Sequence, residues 1–353
     1  MNVVDLLKKA AAEGASDVFL IAGLPVTCRI NGLLIQENEE KLLPKDTEEL
    51  ITQIYQLAEN RSIEPLQKGG DDDFSLAISG VSRFRVNAYK QRGTLAAVIR
   101  VITFHLPKPE DLAIPDAVIR LGAITRGLVL VTGPAGSGKS TTQACMVDAI
   151  NAKEEKHIIT LEDPLEYLHS HKRSIVSQRE IRLDTQSYVA ALRAALRQSP
   201  DVILLGEMRD AETTSVAMTA AETGHLIIST MHTIGAANTI DRIIDIFPPS
   251  QQSQITVQLS MSLMAVVSQQ LVPSVDGRRL PVFEIMTVTP AIRNMIRENK
   301  VHQISGILYS STSEEMRSMD ASLLSLFQSG RITKDTALTY ATNPDMLGRR
   351  LGN

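Results

Sequence analysis

The chain is predicted to be an α/β protein in two parts. A small α+β unit precedes a larger core in which strands alternate with helices around a phosphate-binding loop. Three observations carry this. The 353 residues suit two domains. Gly133, Pro134, Ala135, Gly136, Ser137, Gly138, Lys139, Ser140 and Thr141 satisfy the pattern G-x-x-x-x-G-K-[ST]. Near Asp116 the chain changes from closely spaced strands to strands separated by helical stretches, the mark of a parallel sheet.

In order, Val3 to Ala12 places Val3, Leu6, Leu7 and Ala10 at helical spacing. Ala15 to Ile21 reads as a strand, and Val26 to Leu34 as a hairpin folded at Asn31-Gly32. Pro44 to Ala58 reads as a helix. Phe74–Ile78, Ser82–Tyr89 and Thr94–Ile102, with glycine between them, predict a small antiparallel sheet. Residues 1–104 therefore form the N-terminal domain. Residues 105–115, with Pro107, Pro109 and Pro115, form a linker. The larger domain then spans 116–353. Its expected strands are Leu128–Thr132, His157–Glu162, Val202–Gly206 and Leu226–Thr230. From Gln251 onward the expectation is mainly helical: Gln251–Val272, Pro290–Asn299, Glu314–Gln328 and Lys334–Ala341.

Composition narrows the functional classes. Lysine and arginine number 36 against 40 aspartates and glutamates, a net charge of −4, so no general nucleic-acid-binding surface is expected. Cys28 and Cys145 are far apart and outside any C-x-x-C, which suits a reducing compartment and offers no zinc site. The first residues lack the basic start and long apolar core of a secretory signal, and no run of 18 apolar residues occurs. A cytoplasmic protein is expected.

The loop follows an apolar run and precedes good helix formers, so strand, turn and helix start together make an anion site. Lys139 is placed to reach the β- and γ-phosphates of ATP, and the Ser140 hydroxyl to hold Mg²⁺. Two acidic stretches end strands, where parallel sheets bind ligands. In the first, Glu162 and Asp163 precede Pro164, and Glu166 is placed to orient an attacking water; helix capping is the alternative for Glu162 and Asp163. In the second, Val202 to Leu205 ends in Gly206-Glu207, with Glu207 directed at Mg²⁺ and water. The more usual pattern has aspartate where Gly206 stands.

His232, after the strand Leu226–Thr230, is a candidate sensor of the γ-phosphate; His225, before it, suits a structural role equally well. His169 and His171 alternate on an expected loop without a third metal ligand. Arg83 and Arg85 share one strand face and are candidate arginines acting in trans, with Arg100 and Arg120 following. Taken singly, each suits a solvated face better. Arg193 and Arg197 lie one helical turn apart on an exposed or inter-subunit face.

With these stretches assembled, nearly the whole chain resembles the type II/IV secretion ATPase family, and within it the pilus-retraction branch. The resemblance rests on Ala15-Ser16-Asp17, Arg83-Phe84-Arg85-Val86-Asn87, the loop 133–141 and Glu162-Asp163-Pro164-Leu165-Glu166. It extends to Gly206-Glu207-Met208-Arg209-Asp210, the stretch from Thr223-Gly224-His225 to His232-Thr233, and Ala291-Ile292-Arg293-Asn294-Met295-Ile296-Arg297-Glu298. Glycine at 206 is the family's own pattern. Ala135 and Phe19 depart from it, where relatives often carry Thr and His.

The resemblance implies a PAS-like N-terminal domain and a RecA-like P-loop ATPase core completed by C-terminal helices. It also implies a homohexamer hydrolysing ATP to ADP with Mg²⁺, with Glu166 the catalytic glutamate, Glu207 the Walker B glutamate, and arginines supplied by a neighbouring subunit. The implied partners are an inner-membrane pilus platform protein (PilC-like) and, further, the pilus-assembly ATPase. The implied place is the inner face of the cytoplasmic membrane. An export, pilus-assembly or DNA-uptake ATPase of the same superfamily, and a non-hydrolysing nucleotide-bound regulator, stay open as alternatives.

Overall fold

The computed structural model describes residues 2–30, 32–102, 106–311 and 313–352. Asn31 of the expected hairpin turn and His105, the first residue of the expected linker, lie outside them. Two compact units result: Met1–His105 with Glu166–Leu168, and Leu106–Leu165 with His169–Asn353.

The first unit holds six strands: β1 (Ala15–Leu20), β2 (Thr27–Ile30), β3 (Leu33–Gln36), β4 (Asp71–Ile78), β5 (Ser82–Gln91) and β6 (Thr94–Ile102). They form one sheet in the order β3-β2-β1-β6-β5-β4, antiparallel at every pairing. Helices Val3–Ala12 and Pro44–Leu57 supply Leu7, Ile51 and Ile54 to a core that also buries Phe84 and Ile99. Strand β5 alternates strictly. Ser82, Phe84, Val86 and Ala88 are buried, which turns Arg83 and Arg85 to the opposite face.

The second unit holds β7 (Gly127–Thr132), β8 (His157–Glu162), β9 (Ile175–Glu180), β10 (Val202–Leu205), β11 (Leu226–Met231), β12 (Leu263–Pro273), β13 (Arg279–Thr287) and β14 (Met316–Arg317). Their order is β14-β13-β12-β7-β11-β10-β8-β9. From β12 to β9 the sheet is parallel, and β13 and β14 close its other end antiparallel. The chain leaves β7 for β8 on one side, returns through β10 and β11, then crosses to β12 on the other. The order thus reverses at β7, and the crevice beside such a reversal is where these sheets bind ligands.

Two helical expectations are corrected. Gln251–Val272 is not one helix: the helix is Pro249–Ser262, and Leu263–Pro273 is strand β12. Residues 265–270 are buried on both faces of the sheet, Ser268, Gln269 and Gln270 included, and a strand buried on both faces shows no alternation that would distinguish it from a helix. Likewise Glu314–Gln328 becomes the short strand β14 and a helix that starts at Met319, behind the cap Ser318.

Candidate phosphate-loop site

Strand β7 is buried along its full length and delivers the chain to Gly133 at the reversal point. Gly133, Gly136 and Gly138 all have positive φ, at 143°, 73° and 88°. At Gly133 space also excludes a side chain, and at Gly138 it is tight. A Cβ on Gly133 would stand 2.1 Å from the Gln269 carbonyl oxygen, and one on Gly138 3.0 Å from Gln269 Nε2. The helix Lys139–Lys153 opens directly behind Gly138, so its first free N–H groups face the loop. Lys139 is buried, and its Nζ donates to the carbonyls of Gly133 at 2.9 Å and Pro134 at 2.8 Å. Pro134, Ala135 and Gly136 form the exposed rim, Ser137 lies beneath it, and Ser140 and Thr141 are half-buried.

Gln269 escaped sequence reasoning because β12 reads locally as helix. Its Oε1 accepts from the Thr142 hydroxyl at 2.7 Å, so one side chain ties β12 to the first turn behind the loop. Beside this buttress lies a cavity of about 390 Å³ lined by Leu112, Thr141, Gln269, Arg278 and Arg331 among others.

The acidic end lies at the tips of β8 and β10. Glu207 is largely buried. Its Oε2 pairs with Arg209 Nε at 2.6 Å and with His232 Nε2 at 3.4 Å. The hydrogen bond that Arg209 donates to Glu207, and the negative charge of that carboxylate, push the Arg209 guanidinium pKa up. Glu207 and His232, proposed separately from the sequence, are thus brought together. Tyr188, which no motif flagged, packs over Gly206: a Cβ there would meet its hydroxyl oxygen at 2.7 Å. Burial, reinforced by Glu207, Asp163 and Glu162, raises the phenol pKa, so it is un-ionised at neutral pH.

The remaining candidates are distributed differently. Glu166 is exposed and belongs to the first unit. Arg85 is engaged by Asp73, at 3.1 and 2.6 Å, and Arg100 by Asp17 at 3.2 Å. Arg193 pairs with Glu212 at 2.9 Å. His225 Nδ1 lies 3.0 Å from the Ala220 carbonyl, a structural anchor. The His169–His171 stretch is not a solvated loop throughout: burial pushes the His169 pKa down to about 4, and His171 Nδ1 accepts from the Val176 N–H at 3.1 Å. In the helix Pro290–Arg297, Ile292 and Ile296 are buried, while Arg293 donates to the Ser260 carbonyl at 2.6 Å and the Met261 carbonyl at 2.9 Å. That arginine caps the preceding helix.

Among the described residues no group of three or more His, Cys, Asp or Glu could hold a metal. One hydroxyl, Ser140, and one carboxylate, Glu207, fit a magnesium ion held chiefly by phosphates and water. They do not fit an all-protein cage. No helix among the described residues is long and apolar enough to cross a membrane.

A phosphate loop at the reversal point of six parallel strands, in a chain that opens with a small antiparallel α+β unit, defines a RecA-like core preceded in sequence by a PAS-like domain. The chain belongs to the family described as type II/IV secretion system protein, which matches residues 2–278. It is 43% identical over 345 residues to the type IV pilus retraction ATPase PilT of Pseudomonas aeruginosa, covering 98% of this chain and 99% of that one. It is 37% identical over 348 residues to the type IV pilus ATPase PilU of the same organism, covering 98% and 90%. The crystal structure of the pilus retraction motor PilT with bound ADP superposes with a TM-score of 0.90 at 44% identity, covering 99% of each chain.

Proposed function

We propose that the chain is a hexameric, ATP-hydrolysing motor that powers type IV pilus retraction, the withdrawal of pilin that drives twitching motility. One observation carries the reading. The loop 133–141 is folded as a phosphate cradle in a chain alike, over 99% of its length, to a retraction motor crystallised with ADP.

In this reading the loop N–H groups and the first turn of helix Lys139–Lys153 bind the β- and γ-phosphates, and Lys139 turns from the loop carbonyls toward them. Ser140, and Glu207 through water, hold Mg²⁺. A magnesium ion held there by Ser140 and Glu207 would supply positive charge against the phosphates. Glu166 orients the attacking water and takes its proton. His232, in contact with Glu207, responds to the presence of the γ-phosphate. Arg83 and Arg85 act from a neighbouring subunit, which requires Arg85 to leave Asp73. Different contacts to ATP and ADP bias the ring between conformations, and the ring passes that change to an inner-membrane platform protein. The place of work is the cytoplasmic face of that membrane. Near-balanced charge gives no reason to add nucleic acid as a partner.

The test is ATP turnover and native mass in one buffer, for the wild type and Glu166→Gln. A hexamer is expected, with turnover reduced on the order of a hundredfold in the variant and ATP binding kept. Normal turnover by Glu166→Gln moves the water-activating role elsewhere, and a wild type without turnover sinks the motor. A null strain that keeps its pili and loses twitching separates retraction from assembly or export.

A further inference from the structure

We propose that Glu284 is the positioning residue for His232. One oxygen of its buried carboxylate fixes the loop that carries the histidine, and the other fixes the start of a C-terminal helix, so the two move together. The inference rests on the reading of His232 as the group that answers to the γ-phosphate, and adds to it what holds that group in place.

The stretch from His232 to Gly235 joins β11 to the helix Ala236–Asp245. At its near end His232 Nε2 lies 3.4 Å from Glu207 Oε2, with the imidazole more than half exposed. An exposed contact of that kind fixes a side chain only weakly, so the place of the ring depends on the backbone that carries it. Two buried side chains hold that backbone from behind. The Gly235 N–H donates to Ser268 Oγ at 2.9 Å, and the Ala236 N–H to Glu284 Oε1 at 2.8 Å. Ser268 and Glu284 stand opposite each other in the register of β12 and β13, so one cross-strand pair makes the whole anchor.

The carboxylate is itself held from the other side. Its Oε2 accepts at 3.3 Å from the N–H of Met319, the first residue of the helix Met319–Gln328. Two ten-residue helices therefore aim their N-terminal N–H groups at one carboxylate, which offsets part of the cost of burying its charge. A glutamine offers one acceptor oxygen to the same two donors, so only the carboxylate serves both. Beyond Met319, buried Asp320 accepts from the Thr342 N–H at 2.7 Å and the Asn343 N–H at 3.0 Å, which extends the connection to the last helix, Pro344–Leu351. A displacement of the C-terminal helices that frees Met319 thus releases the carboxylate that also holds Ala236, four residues after His232.

The experiment measures amide hydrogen exchange on the nucleotide-free full chain, and separately ATP turnover, for the wild type, Glu284→Leu, Glu284→Gln and Ser322→Ala. Ser322 donates to the Phe283 carbonyl at 2.6 Å, so its loss loosens the same C-terminal helix without touching the loop. Glu284→Leu should speed exchange in both 233–239 and 319–324. Its kcat should fall by roughly five- to tenfold, the worth of one hydrogen bond, with KM for ATP within about twofold. Glu284→Gln should keep its oxygen on the shorter bond, to Ala236, so that only 319–324 loosens and kcat stays within about twofold. Ser322→Ala should behave as Glu284→Gln does. On a His232→Ala background Glu284→Leu should lower kcat by less than about a further twofold, because it acts through that histidine. Unchanged exchange at 233–239 in Glu284→Leu, or an equal loss of kcat with and without His232, overturns the positioning role. Should Glu284→Leu fail to fold, unchanged exchange at 319–324 in Glu284→Gln overturns the shared anchor. A wild type without turnover, or full turnover by His232→Ala, sinks the hydrolysis reading instead, and the exchange measurement still decides the anchor.

Discussion

The two sheets handle charge in opposite ways. In the antiparallel unit the carboxylates meet arginines close at hand. Buried Asp17 meets Arg100 at 3.2 Å and Arg29 at 3.7 Å, and Asp73 meets Arg85. Asp72 accepts from Arg61 at 3.0 and 2.9 Å and from the Tyr55 hydroxyl at 2.9 Å. Hydrogen bonds from Arg61 hold the Asp72 carboxyl below the usual carboxylate range. In the parallel unit Glu162, Asp163 and Glu207 come together at the ends of β8 and β10, and the arginines they meet are themselves exposed: Arg209 on Glu207 at 2.6 Å and Arg182 on Asp163 at 3.7 Å. Local pairing makes a scaffold whose charges are spent on itself. Carboxylates held at strand tips by exposed arginines can exchange those partners for another cation, in the same unit as a loop that takes an anion.

The largest expected effect tests that contrast directly. Lys139→Ala should lower nucleotide affinity or turnover by about 10²–10³-fold, as removal of one preorganised cationic donor does. Arg100→Ala, from a neutralised pair, should leave nucleotide affinity within about twofold. A fluorescence titration of both variants reads the difference. Equal losses would break the comparison.

A middle-sized effect sharpens it, because the parallel unit also holds a buried carboxylate satisfied by backbone N–H groups rather than by arginine. Glu284 on β13 is buried and accepts from two helix starts, the Ala236 N–H at 2.8 Å and the Met319 N–H at 3.3 Å. Burial pushes its pKa up despite those two bonds, and nearby Asp320 adds to the rise. A folded-state pKa above the unfolded one means its share of stability is complete below the ordinary glutamate range and is lost as pH rises through the raised value. Denaturant unfolding from about pH 4 to about pH 8 should show that loss in the wild type, up to about 1.4 kcal/mol per pH unit while the group titrates. Glu284→Gln should lack it. A slope unchanged by the substitution would assign the pH dependence to another group.

Most of the site's anion half was legible because its chemistry is local. Strand, three glycines, lysine and hydroxyl follow one another in sequence, and helix Lys139–Lys153 begins where the pattern requires. The N-terminal elements were legible for a similar reason: alternation in β5 and spacing in Val3–Ala12 express burial on one face only. The buttress was not. Gln269 matters through Gly133 and Thr142, more than a hundred residues away, and β12 is buried on both faces, so it carries no period to read. Tyr188 is a second such case. It packs over Gly206 from a helix that precedes that glycine by eighteen residues and carries no motif.

The smallest expected effect bears on whether the neutralised unit is only a scaffold. Asp73 and Arg85 are both substantially exposed, at 45% and 35%, so their pair should contribute no more than about 1 kcal/mol. Asp73→Ala should therefore shift the unfolding free energy by less than that. If Arg85 serves a neighbouring subunit's nucleotide, releasing it from Asp73 should leave turnover unchanged or higher, whereas Arg85→Ala should lower it. Rings mixed from Arg85→Ala and Lys139→Ala subunits should then regain part of the activity, since each kind supplies what the other lacks. Should Asp73→Ala depress turnover as far as Arg85→Ala does, the pair itself is what the enzyme needs. Arg85 would then act within its own sheet, and the division between a scaffold that spends its charges and a site that gathers them would hold without exception.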